Sequence, residues 1–581
     1  MSFRDRLLEN YQWLNGYKTS DLTGDLISAL VLSFLLIPQS LAYALLAGLP
    51  PQVGISAAIA PAIAYSFFGS SRVLSVGPVA MTSILTVAAI SQFPEEFRVV
   101  SAAMLAFMSG VFLMILGVLR GGALATFFSR PVVSAYITGA AILIIVSQLK
   151  HVFQVDMPGR KISEMLASFW DNKGNSVAIA MYFGLGTIIL LWAVNKPLYN
   201  TLRRMHIRKK KAKYVGNISP LILVVAATIF STYFAFHQKF NLAIVGEIPA
   251  TLPDFAFPVA AWEHWETLIL SAFIIALVGF VDSVSVGQTL AAKKRHRVDP
   301  DKELLGTGAA NIAAGLTGAY PVAGSLSRSA LNHATGAKSP LVGLMAALLM
   351  ALAALTVMPL LENLPLAVLA GLIIYSCFSL LNFKEIWRTW CYSKADALTA
   401  IGALFAVLLL GVQYGVLVGT VLSMIFHIRL TLKPHTVEVG RFIGTEHYRD
   451  ADRFDVEEFD EIKTLRIDES LYFANARFLE DTVAQLIVKY PQMKDLVLMC
   501  PAVNRIDASA LESLTEINQR LKNLDINLHI SEIHSHVMDR LHRSNFLEKL
   551  TGKVFMSQHE AIEALRPEPD WSQYSDHIDM H

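Results

Sequence analysis

Two apolar stretches of this chain are interrupted by residues that cannot continue a helix: Ser75-Val76-Gly77-Pro78-Val79-Ala80 and Pro321-Val322-Ala323-Gly324-Ser325-Leu326-Ser327-Arg328-Ser329. A helix that starts inside a bilayer leaves its first backbone N–H groups without intrahelical partners, and the positive end of its dipole favours an anion. A matched pair of interrupted spans therefore points to an anion site near mid-membrane, and Arg328 adds charge of the same sign. Plainer readings stand beside this one. Gly77-Pro78 alone kinks a continuous helix, Ser325 and Ser327 hydrogen-bond back to their own turn, and Arg328 meets an anion, acts through its field or holds a neighbouring carbonyl. Asp282 lies in the apolar run from Leu268 to Val286, where an ionisable group is expensive and marks a functional site by default. Burial and a nearby Arg328 act in opposite senses on its protonation. Asp282 thus reads as a cation-coupling carboxylate, as a structural partner of Arg328, or as both.

The elements that must carry these residues follow from composition. Of 581 residues, 54% are hydrophobic and 16% charged, with a mean hydropathy of +0.47. That is far too apolar for a soluble chain and fixes the class as a polytopic α-helical membrane protein. A helical span needs about 20 apolar residues, and roughly fourteen candidates fall between Asp25 and Arg429, several of them short. No β-barrel alternation is present. The opening, Met1 to Ser20, lacks a compact apolar stretch with a cleavage site and reads as a cytoplasmic segment, not a removable signal. Cys377, Cys391 and Cys500 are too scattered for disulfides or a metal and read as reduced packing residues.

Basic residues orient the spans. With the N-terminus inside and fourteen crossings, the loops that fall on the cytoplasmic side are Lys196 to Lys213, Lys293 to Lys302 and Lys384 to Lys394, the strongest basic clusters. Gln92 to Phe97 and Glu247 to Glu266, on the other face, are acidic or neutral. Both termini are expected inside. The basic run Arg208 to Lys213 fits contact with anionic lipid head groups and not nucleic acid. The expected localisation is multi-pass in the inner (plasma) membrane.

The expected division is a cytoplasmic segment over 1–20, a transmembrane domain over 21–432, a second domain over 438–566 and a mobile tail over 567–581. In the second domain, Ile462 to Ile467, Asp495 to Met499 and Ile526 to Ile530 read as strands. Ala476 to Val488, Ala510 to Leu521, Val537 to Phe546 and His559 to Leu565 read as helices, which gives a small α/β fold. Asp507 and Ser509 stand at a strand-to-helix turn, where capping is the default role. His529, His534, His536 and His542 have no metal-site spacing and read as surface or packing residues. Gly411, Gly415 and Gly419 form a small-residue stripe on the last span that predicts close packing within the subunit.

Pro38-Gln39-Ser40-Leu41-Ala42-Tyr43-Ala44, Gly48-Leu49-Pro50-Pro51, Phe68-Gly69-Ser70-Ser71-Arg72 and Ser75-Val76-Gly77-Pro78 resemble the opening spans of the sulfate permease family, whose animal branch includes the multifunctional anion exchangers and prestin. Gly279-Phe280-Val281-Asp282-Ser283, Lys302-Glu303-Leu304 and Ser325-Leu326-Ser327-Arg328-Ser329 continue the match in order, and the C-terminal domain resembles the family's STAS domain, with Asp507-Ala508-Ser509-Ala510 in place of the Asp-Ser-Ser-Gly type of turn. The resemblance implies two inverted seven-span repeats, arranged as a core and a gate, with the breaks in the third and tenth spans and a homodimer as the assembly. Carried over by residue, it nominates Gln39 and Tyr43 on the first span, Val79 and Ala80 after the third-span break, and Ser325, Leu326, Ser327 and Arg328 at the start of the tenth. Gln39 and Tyr43 are four apart and share one helix face, which also suits helix packing. Some relatives carry an aromatic where Val79 stands, so the pocket here suits an oxyanion larger than chloride. Asp282 matches the place where proton- or sodium-driven members carry an acid. Val286 lacks the hydroxyl of a sodium-driven bicarbonate relative, which tilts the expectation toward protons. Ser509 matches a position phosphorylated in bacterial relatives of the STAS domain.

No Walker-type loop, nucleophile elbow, paired-cysteine motif or metal-site spacing occurs, so ATP-driven pumping, enzymatic activity, a cofactor and a metal are not expected. The expected function is secondary active import of a small inorganic oxyanion, sulfate first, by proton symport and alternating access. Sodium-coupled bicarbonate transport, dicarboxylate transport and an uncoupled anion channel are the alternatives.

Overall fold

The computed structural model describes residues 17–123, 130–159, 161–194, 197, 209–247, 251–259, 265–292 and 298–566. The chain divides into two compact units, Met1–Met424 and Ile425–His581. Residues 1–16, most of the basic stretch 196–213, residues 293–297 and the expected tail 567–581 lie outside the described residues.

In the first unit, α1 (Thr19–Leu46), α2 (Pro51–Phe68), β1 (Val76–Gly77), α3 (Ala80–Ile90), α4 (Glu95–Val118), α5 (Arg130–Val152), α6 (Ala178–Ala193) and α7 (Lys209–Phe234) form the first half. The second half repeats the order: α8 (Trp265–Ala292), α9 (Pro300–Leu316), β2 (Ala323–Gly324), α10 (Leu326–Thr335), α11 (Leu341–Thr356), α12 (Leu366–Phe378), α13 (Lys394–Leu410) and, reaching into the second unit, α14 (Val412–Thr431). Each half thus places a two-residue strand before its third helix. Proline at the first position starts α2 and α9, where its missing N–H costs nothing. Among the described residues, six helices are long and apolar enough to cross a bilayer, and shorter apolar helices accompany them. Leu190, Ile229, Leu352 and Phe405 are exposed large apolar side chains, the kind of surface that hydrocarbon solvates.

The helices sort into two packed groups, α1–α4 with α8–α11 and α5, α6 and α7 with α12 and α13, and α1 touches α7 and α12 across the division. Small residues allow the close approaches. A Cβ on Gly54 of α2 would collide with the Ser40 carbonyl oxygen of α1. The expected glycine stripe is corrected in one place: Gly411 ends α13 with φ +100° and is not part of the last span. Gly415 and Gly419 do lie on α14, where added Cβ atoms would meet Val407 and Ala403 of α13.

The second unit holds a six-stranded sheet in the order β4 (Tyr448–Asp450), β3 (Thr436–Arg441), β5 (Ile462–Ile467), β6 (Asp495–Met499), β7 (Asn527–Ser531), β8 (Val554–Phe555). Strands β5 to β8 run parallel, and β3 is antiparallel to both its neighbours. The expected strands are present, and β3, β4 and β8 add to them. Along β6, Leu496 and Leu498 enter one core cluster while Val497 and Met499 enter another, the two-residue period of a sheet covered on both faces. The expected helices are α15 (Ala476–Lys489), α16 (Ala508–Lys522), α17 (Ser535–His542) and α18 (Gln558–Leu565).

Asp507 caps α16, accepting from the N–H groups of Ala510 and Phe473, both at 2.9 Å. Slight burial pushes its carboxyl upward, but those backbone donors outweigh it and hold the group below its ordinary value. Ser509 is exposed on the first turn. His529 is a packing residue, buried between Asp495 and the Lys553 N–H. Cys377 and Cys500 are buried, and Cys391 is exposed.

Gly54→Ala forces Ser40 and α2 apart and is expected to cost about 1–3 kcal/mol, read as a lower unfolding temperature of the detergent-solubilised protein. Asp507→Ala is expected to cost about 1 kcal/mol at the α16 N-terminus, read as faster hydrogen exchange in its first turn.

Candidate anion site at the paired breaks

The two breaks meet. Val76 pairs with Gly324 and Gly77 with Ala323 in an antiparallel ladder, and the Ser325 N–H donates to the Ser75 carbonyl at 3.0 Å. Segments some 250 positions apart thus satisfy each other's backbone inside the membrane unit, where no water replaces a missing bond. From this ladder the chain turns into α3 on one side and α10 on the other. In α3 the first return bond runs from the Ser83 N–H to the Val79 carbonyl at 3.1 Å, so the N–H groups of Ala80, Met81 and Thr82 head the helix without intrahelical partners. In α10, Ser325 is the N-cap and its hydroxyl reaches the Arg328 N–H at 3.5 Å.

Arg328 is fully buried. Its Nη1 donates to the Pro78 carbonyl at 2.7 Å and reaches Gln39 Oε1 at 3.5 Å, and its Nε reaches the Ser75 hydroxyl at 3.3 Å. Nη2 has no hydrogen-bond partner among the described residues and stands 3.4 Å from where a Gly77 Cβ would be. Of the sequence alternatives for Arg328, holding a neighbouring carbonyl is realised, while one N–H-bearing arm remains unused. Tyr43, one turn after Gln39 on α1, is buried.

The nominated residues fall around this point. Gln39 is half-buried and touches Arg328; Val79 is the half-buried N-cap of α3 and Ala80 its buried first residue. The Ser325 and Ser327 hydroxyls lie 3.3 Å apart. Leu326 and Ser327 are exposed on the first turn of α10.

Asp282 is different. It is half-buried on α8, and among the described residues it makes no ion pair with Arg328 and no side-chain hydrogen bond. The structural pairing with Arg328 is therefore not formed. Its neighbour Ser283 is engaged: the Ser283 hydroxyl donates to the Gly279 carbonyl at 2.6 Å and accepts from the Gly324 N–H at 2.9 Å. Ser283 and Ser329 stand in the sequence only as parts of motifs, and Asn332 lies outside them. Ser329 accepts from the Ser75 N–H at 2.9 Å, and Asn332 donates to the Val73 carbonyl at 3.3 Å. Their spacing was a usable signal, because 325, 328, 329 and 332 lie on one face of a short helix whose neighbours are apolar.

Comparisons with known proteins follow the same lines. The Sulfate permease family model matches residues 22–403, and the STAS domain model matches residues 453–561. The chloroplastic Sulfate transporter 4.1 of Arabidopsis thaliana is 32% identical, with 96% of this chain and 82% of the relative covered. A probable sulfate transporter of Mycobacterium tuberculosis is 31% identical, with 95% of this chain and 96% of the relative covered. The structure of murine Solute Carrier 26 family member A9, an anion transporter in the inward-facing state, shares the fold with a TM-score of 0.86 at 24% identity, covering 95% of this chain and 93% of that one. With two broken spans meeting in one ladder, and a family model spanning most of the membrane unit, this chain belongs to the sulfate permease family and carries a STAS domain at its C-terminal end.

Proposed function

We propose that this protein is a secondary active carrier that imports a small inorganic oxyanion, sulfate first, by proton symport through alternating access. The observation that carries the reading is Arg328: a buried guanidinium whose Nη2 has no protein partner among the described residues, at the point where two half-helices begin. An oxyanion offers several acceptor oxygens to such an array, and guanidinium geometry suits them better than a point charge. Of the nominated side chains, Gln39, Tyr43, Ser325 and Ser327 are neutral and can replace part of a hydration shell without holding the ion irreversibly. The plant relative is named a sulfate transporter and the mycobacterial one a probable sulfate transporter, which supports sulfate as the first substrate to test.

Asp282 is the coupling residue of this reading. A half-buried carboxylate with no ion pair among the described residues is open to exchange a cation, and Val286 one turn on is buried and apolar, which favours a proton over a coordinated sodium ion. The reading includes a multi-pass protein of the plasma membrane, a cytoplasmic N-terminus and STAS domain, and a homodimer.

Uptake of labelled sulfate and bicarbonate into proteoliposomes, under imposed proton or sodium gradients, tests this. The expected result is sulfate uptake driven by an inward proton gradient, with the gradient dependence lost in Asp282→Asn and KM raised at least about tenfold in Arg328→Gln. Sodium-driven bicarbonate uptake, dicarboxylate uptake or gradient-independent anion flux would each replace it. Ser283→Ala leaves the Gly324 N–H buried without an acceptor, a loss of about 1–3 kcal/mol, and is expected to lower the melting temperature and slow uptake together.

A further inference from the structure

We propose that Glu303 and Asn311 are positioning residues for the anion site, through which α9 clamps the approach to both broken spans; the transport readout of this inference rests on the function proposed above. The two residues lie eight apart with Thr307 between them, so all three form one stripe along α9. Glu303 is fully buried. Its carboxylate accepts from the Tyr65 hydroxyl at 2.9 and 3.1 Å, the Ser70 hydroxyl at 2.6 Å, and the N–H groups of Ser70 and Ser71 at 3.2 and 3.0 Å. These donors belong to the end of α2 and to the segment that runs directly into β1. At the other end of the stripe, the Asn311 amide donates to the Val322 carbonyl at 3.0 Å and accepts from the Val322 N–H at 2.9 Å. Val322 is the residue before β2. Thr307 closes the stripe by donating to the Glu303 carbonyl, and Asn311 donates back to the Thr307 carbonyl.

The chemistry of each residue fits its place. Four donor groups converge on Glu303 Oε1, and the Tyr65 hydroxyl also reaches Oε2; a glutamine would keep one acceptor oxygen but lose the charge that strengthens these bonds, and its amide nitrogen would require the Tyr65 hydroxyl to turn from donor to acceptor. Burying a carboxylate inside the membrane unit is costly, and a chain that needed only to pack this position would use an apolar residue. Contact between the helices is already tight here, since a Cβ on Gly306 would lie 2.6 Å from the Gly69 Cα. A small shift of α9 therefore moves the segment before β1 and the segment before β2 together. The ladder and the two helix starts follow from where those segments lie, so α9 sets the separation of the N–H groups that face the anion.

The test compares Glu303→Gln, Asn311→Ala and the milder Tyr65→Phe with the unaltered full chain, measuring KM and Vmax for sulfate uptake, melting temperature with and without sulfate, and backbone hydrogen exchange over residues 70–82 and 320–328. Glu303→Gln is expected to raise KM about tenfold and Tyr65→Phe about threefold, with Vmax at saturating sulfate within about twofold. Hydrogen exchange is expected to quicken over 70–82 in Glu303→Gln and over 320–328 in Asn311→Ala, and sulfate should raise the melting temperature less in both. A lower melting temperature with unchanged KM and unchanged exchange at those segments would make the stripe a fold staple only and overturn the proposal. If the unaltered chain takes up no sulfate, the proposed substrate falls, and the exchange measurement alone still decides whether α9 positions the breaks.

Discussion

The membrane unit is organised by one requirement: where the chain stops being helical inside the bilayer, its backbone groups must find partners within the protein. The two-residue ladder between β1 and β2 meets that requirement for both breaks at once. It is too short to stand alone, and side chains from outside the ladder complete it. Ser283 takes the Gly324 N–H, Asn311 takes both backbone groups of Val322, Ser329 takes the Ser75 N–H, and Asn332 takes the Val73 carbonyl. What remains without a backbone partner is the start of each half-helix, the part able to meet an anion. Gly324 belongs to the same solution, because a Cβ there would come within 2.9 Å of Leu74 and 3.1 Å of Ser283.

Arg328 is part of this ladder as much as part of the site. Its contacts with Pro78, Ser75 and Gln39 hold it in one orientation across the break, and they use a planar group with several donors. A lysine would place one compact charge there and could not span the same acceptors. The cost of burying the charge is offset in part by these bonds, while Nη2 has no partner among the described residues. A fixed cation with one open donor arm differs from a fully neutralised structural arginine, and that difference gives the site its sign.

The sequence made the breaks legible because their cause is local: Gly77-Pro78 and Pro321 with Gly324 interrupt apolar runs within a few residues. The pairing between them had no such signal, since Ser75 and Ser325 meet only through the fold. For the same reason the clamp on Gly324 by Ser283 stayed hidden in a motif read for Asp282. Gly411 was misplaced because a glycine at φ +100° that ends a helix and a glycine in a packing stripe look alike in sequence. In the STAS domain the buried parallel strands stood out as apolar runs, whereas β4 and β8 are only a few residues long and offer no period to read.

Asp282 and Arg328 have opposite charges in the same group of helices, yet they do not form an ion pair. Had they paired, each would have satisfied the other, and neither an anion nor a cation would find an open partner at neutral pH. Their separation leaves an anion-attracting group at the ladder and a cation-attracting group on α8. The two are linked mechanically, because Ser283, adjacent to Asp282, holds the Gly324 N–H at the foot of α10. A change in the occupancy of Asp282 that shifts α8 must therefore strain or release that bond, and with it the start of the helix that presents Ser325 and Arg328. On the proposed reading this is a covalent and hydrogen-bonded route by which a cation alters anion affinity, and it runs through a single hydroxyl group.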